Sequence, residues 1–98
     1  MNSKEIQQER AEARIKEIEA RISLLRAQAE RAQADKKAEF AETIKDLQTR
    51  REAIEKRIAD LTSAGTEAWS ELREGIGRAI DELSAALSKA TEQIEKEI

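Results

Sequence analysis

Glu39 and Glu42, and again Glu92 and Glu95, are carboxylate pairs set three residues apart in a chain of 98 residues. On a helix that spacing puts both acids on one face, where a pocket could tune them for acid–base chemistry. Lysines stand around both pairs, Lys36, Lys37 and Lys45 by the first and Lys89 and Lys96 by the second, the pattern of a solvated helix surface rather than of a site. Histidine is absent, which removes the commonest general base and rules out the Glu-x-x-His pairs of di-iron bundles. Cysteine is absent too, so disulfides, thiolate metal sites and thiol nucleophiles do not arise. The residue types present predict no catalytic residue, no cofactor and no metal site, and hence a protein that is not an enzyme.

Three features invite a functional reading beside a structural one. Arg51 occupies a helical position whose neighbours in the same column are apolar. It is read as a polar seam residue that sets register, its stem along the interface and its guanidinium reaching a carboxylate such as Glu82; the functional alternative is an anion site built on it. Trp69, the single tryptophan, could anchor a ligand or a membrane, but its place in an apolar column suits a plug that closes the end of a helical hairpin. Gly75 and Gly77 flank Ile76 inside a segment that otherwise reads as helix. Each costs about 1 kcal/mol relative to alanine there. The expected compensation is that the missing side chains let a partner helix approach or let the helix bend.

The elements that would position these residues are helical throughout. With 40% charged and 2% aromatic residues and no proline, the composition is that of long helices or coiled coils. Apolar residues recur at heptad spacing through Ala11, Ile15, Ile18, Ile22, Leu25, Ala29 and Ala32. The register then slips by one residue in "AQADKKAEF" and continues through Phe40, Ile44, Leu47, Arg51, Ile54, Ile58 and Leu61. That stretch holds no glycine or proline, and a continuous helix accepts an eleven-residue step with a local change of supercoil.

Punctuation comes at "DLTSAGTEAW", where Gly65 is expected in the left-handed conformation closing one helix and Thr66 to cap the next. At the chain start, Asn2 and Glu5 have capping-box spacing. The expected layout is one helical domain: a helix over about residues 3–62, a turn at about 63–65 and a helix over about 66–97. The last helix aligns in elevens, TEAWSELREGI, GRAIDELSAAL, SKATEQIEKEI, which gives a broad and nearly straight apolar stripe.

The fold expected is therefore all-α, a long antiparallel hairpin. Its core pairs Phe40, Ile44, Leu47, Ile54, Ile58 and Leu61 with Trp69, Leu72, Ile76, Ile80, Leu83 and Leu87. A first helix of about 90 Å would outrun a second of about 50 Å, leaving Ile15, Ile18, Ile22 and Leu25 as an interface for self-association, most simply an antiparallel homodimer. The alternative is a compact three-helix bundle that folds again near Asp35 and needs no dimer.

Net charge is −3. Residues 1–64 hold fourteen Lys/Arg against thirteen Asp/Glu (+1), and residues 65–98 hold four against eight (−4). Nearly every cation has an acidic neighbour, which argues against nucleic acid as a partner. The acidic last helix also weakens attraction to anionic membranes. No apolar run is long enough for a signal peptide or a membrane span, so the sequence reads as cytoplasmic.

"AQADKKAEF" and "AWSELREGI" together carry a resemblance. The chain is similar to a group of small bacterial coiled-coil proteins, about a hundred residues long. In these a charged helix with A-x-A-D-x-K-A-E-F/Y precedes a helix with A-W-x-x-L-x-x-G. The resemblance spans most of the chain and implies a link with stress responses; it brings no activity, cofactor or catalytic residue. A second tryptophan common one repeat later in such helices is Ile80 here. The function expected is a non-catalytic, self-associating structural or interaction protein, with a protein partner besides itself; the alternative is an amphipathic helix that lies on lipid, a granule or an unfolded client.

Overall fold

A computed structural model describes residues 3–98, which form three helices, the two turns between them and a two-residue end after the last helix. Helix α1 runs over Ser3–Ala29, α2 over Ala34–Leu61 and α3 over Thr66–Lys96. The three lie side by side, each touching the other two, in a body of 50 × 20 × 16 Å. At 27, 28 and 31 residues they are each about 40–47 Å long, so no helix outruns its partners. The chain adopts the compact three-helix bundle and not the long hairpin.

The helix expected over residues 3–62 is thus divided, at residues 30–33 and just ahead of Asp35, which lies in the first turn of α2. The register slip is this turn. Ala29 and Ala32 are buried under it at 7% and 6% exposure. The Glu30 and Ala32 amides donate to the carbonyls of Arg26 and Ala29, while Gln33 is extended at φ −66°, ψ 154° and its carbonyl opens α2 by accepting from Lys36 and Lys37. Among the described residues none has a positive φ. A turn built only from right-handed and extended backbone needs no glycine, and alanine is small enough to sit beneath it.

Burial explains why the chain bends there. Ile15, Ile18, Ile22 and Leu25 are 1–3% exposed, packed in the same core as α2 and α3. Burying a side chain of this size contributes about 1.5–3 kcal/mol. Four of them outweigh the few helical hydrogen bonds given up at the turn, worth about 1 kcal/mol each. These four residues are therefore not a free self-association seam; α2 and α3 cover them within the same chain.

The second turn falls where the sequence placed it, but its cap differs. Gly65 has φ −72°, ψ 171° and is itself the residue ahead of α3, its carbonyl accepting from the Trp69 amide at 2.8 Å. Gly65 closes no helix in a left-handed conformation, and Thr66 is the first residue of α3 rather than its cap. Asn2, and with it the capping box expected at the chain start, lies outside the described residues.

Candidate interaction grooves

The core holds every large residue of the two expected stripes except Trp69 and Leu72, which are half-buried and packed against it. Phe40, Ile44, Leu47, Ile54, Ile58 and Leu61 from α2 meet Ile76, Ile80, Leu83 and Leu87 from α3, with Leu83 and Leu87 fully enclosed. Ile94, aligned with Leu72 and Leu83 in the eleven-residue repeat, is 1% exposed and completes the far end. Ile98 shares a repeat column with Ile76 and Leu87 but lies past the end of α3, 48% exposed.

Arg51 is nearly enclosed, its side chain 13% exposed. It donates to Glu19 of α1 at 3.3 Å and to Glu55 one turn on in α2, with Glu52 at 3.9 Å. The partner expected on α3, Glu82, is replaced by one on α1. In a hairpin a seam residue has one facing helix, whereas in a three-helix bundle it leans toward one of two, and Arg51 lies on the α1 flank. Its guanidinium has carboxylates on several sides, so it is a neutralised strut and not an open anion site.

Trp69 has the Lys4 ammonium 5.9 Å and the Arg73 guanidinium 5.8 Å from its ring centre, within the range of cation–π attraction. It covers the end of the bundle near the second turn, where Gln8 of α1 also donates to Thr62 at 3.2 Å. Glu39 pairs with Lys36 at 3.7 Å on the surface. No group of three acidic residues among those described is placed to hold a metal ion.

What remains is a set of grooves between helices. The α1–α2 groove, about 290 Å³, has Glu12, Glu19 and Glu55 on its rim with Lys16. The α2–α3 groove is larger, about 530 Å³, and is lined by Ala68, Leu72 and Gly75 between Arg57, Asp60 and Glu71. The α1–α3 groove, about 240 Å³, has Arg10, Arg14 and Arg73 above Ala11, Ile76 and Gly77. Gly75 and Gly77 thus face different grooves, one on each flank of α3. A Cβ added at either would meet nothing within 4 Å. The expected close approach of a neighbouring helix to these glycines does not occur, so the space beside them is open to the outside.

Charge is divided across α1 as the grooves are. Toward α3 it presents Arg10, Arg14 and Arg21; Arg14 meets Asp81 at 2.7 Å, and Arg21 donates to Ser84 and Ser88. The rim it shares with α2 carries Glu12 and Glu19 with Lys16, and Glu5, Glu9 and Glu12 surround a depression on α1 itself. Sequence reasoning recovered the stripe that becomes the core, but it could not assign flanks, because a flank exists only once both neighbours of a helix are known. No protein-family model, curated protein or solved structure matches the chain. No helix among the described residues is long and apolar enough to cross a membrane.

Proposed function

We propose that the chain is a non-catalytic interaction protein, a small helical bundle whose inter-helical grooves receive a protein partner. One observation carries this reading. Two glycines in mid-helix each cost about 1 kcal/mol, and no internal atom needs the room they leave. A cost the fold does not recover internally is recovered when something external enters that room.

Self-association is a second reading, and a different face favours it from the one first expected. Ile6 and Leu24, 39% and 61% exposed, lie on the outer side of α1 with exposed Ala13, Ala20 and Ala27, so that residues 6, 13, 20 and 27 recur every seven. The surface-binding alternative has less support, because α3 would have to withdraw Ile76, Ile80, Leu83, Leu87 and Ile94 from the core before its stripe could meet lipid or a client. A role in stress is supported by the resemblance alone.

Benzophenone crosslinkers placed singly at Gln7, Glu71 and Leu24, with Glu42 on the outer face of α2 as a control, test the proposal in the cell that makes the protein. Discrete heavier adducts from Gln7 or Glu71 are expected. Adducts at twice the chain mass from Leu24 would favour self-association instead. No adduct above the chain mass from any site would refute the interaction reading.

A further inference from the structure

The three grooves differ in charge. Those between α1 and α2 and between α2 and α3 each carry carboxylates, as do the smaller depressions on α1 and at the first turn. The charged residues lining the α1–α3 groove are Arg10, Arg14 and Arg73, with no acid among them. In a chain of net charge −3, such a grouping needs a reason. Neutralisation within the fold does not supply one: Arg14 pairs with Asp81, but Arg10 and Arg73 make no ion pair among the described residues. Arg73 lies over the Trp69 ring, 5.8 Å from its centre.

Below the guanidinium groups the floor is apolar, made by Ala11, Ile76 and Ile80, and the α3 wall is cut away at Gly77. An occupant must therefore bring anionic groups above and aliphatic groups below. The groove runs between two parallel helices, and an amphipathic helix can lay its apolar face along such a groove. Carboxylates one turn apart on such a helix recur at about 6 Å, the rise between Arg10 and Arg14 on α1. Arginine forks hold carboxylates in paired hydrogen bonds, and Arg14 keeps donors beyond those Asp81 uses.

We propose that the α1–α3 groove binds an acidic amphipathic helix of a partner protein, its carboxylates held by Arg10 and Arg73 and its aliphatic side chains seated beside Gly77. The inference rests on the reading of the chain as an interaction protein and names the chemistry of its partner. The α2–α3 groove is larger, but Arg57 stands against Asp60 and Glu71 there, so its charge selects no sign of ligand.

The test titrates the isotope-labelled full chain with a synthetic helical peptide carrying Glu at i and i+4 and Leu between them, and with the same peptide having Gln for each Glu. Amide shifts confined to Gln7, Arg10, Arg73, Gly77 and their neighbours are expected, with binding about tenfold weaker for the Gln peptide and weakened by salt. Gly77→Leu should abolish binding while raising the melting temperature, which separates a filled groove from a damaged fold. Arg10→Glu with Arg73→Glu should abolish it with helicity unchanged. Equal binding of both peptides, shifts spread over the whole surface, binding undiminished in Gly77→Leu, or no binding of the Glu peptide would each overturn the proposal. Crosslinked partners captured only through Glu71 would also overturn it, while leaving the interaction reading in place.

Discussion

Replacing Gly75 and Gly77 with alanine should make this protein more stable, and the size of the gain follows from the structure. Both glycines lie inside α3 with ordinary helical backbone, and neither has a positive φ that alanine would resist. A Cβ at either position meets no atom within 4 Å, so no steric cost offsets the gain in helix propensity. That gain is about 1 kcal/mol per site, and about 2 kcal/mol together if the two act independently, as residues on opposite flanks without shared partners should. For a domain of this size each kcal/mol moves the melting temperature by about 4–8 °C. The double variant should therefore melt about 8–16 °C higher, and its urea midpoint should rise with an unchanged slope. Circular dichroism at 222 nm measures both. A double variant no more stable than the parent would mean that α3 is not a regular helix through residues 75–77, and the case for space held open at the grooves would fall with it.

Two further outcomes test the core and its polar strut. Leu25→Ala, at a site 1% exposed, should cost about 2–5 kcal/mol in chemical denaturation; a loss below about 1 kcal/mol would show that α1 does not pack in the bundle. Arg51→Met should change stability by less than about 1 kcal/mol, because the aliphatic volume is kept and the lost pairs with Glu19 and Glu55 are partly solvated. A loss above about 2 kcal/mol in the same assay would mean that Arg51 fixes helix register.

The apolar stripes were legible in the sequence because periodicity reports burial directly. Ile15 through Leu25, Phe40 through Leu61 and Ile76 through Leu87 all lie in the core, whichever helices they were expected to face. The second turn was legible from Gly65 even though that glycine adopts an ordinary extended backbone. The first turn was legible only as the alternative that folds again near Asp35, since its residues, Glu30, Arg31, Ala32 and Gln33, are all acceptable within a helix. The only trace of it was a one-residue slip that a supercoil change also explains. The partner of Arg51 and the surroundings of the two glycines were missed for a shared reason. Each depends on which of two neighbours lies on a given flank, and a linear pattern carries no such information.

The absence of any turn residue at 30–33 has a consequence for how the bundle stays closed. No glycine, proline or capping side chain fixes the bend; it is held by the hydrophobic residues on either side and by the Glu30–Lys37 pair at 3.8 Å. If that segment straightened, α1 and α2 would become one rod, and the same core contacts would be available between two chains that had exchanged their α1 helices. Domain-swapped and closed forms would then differ little in contacts. The closed form is favoured mainly because a tethered helix is present at a far higher effective concentration than a helix from another molecule. The balance between them is therefore a matter of dilution: low protein concentration keeps each chain folded on itself, and crowding of like chains works toward exchange.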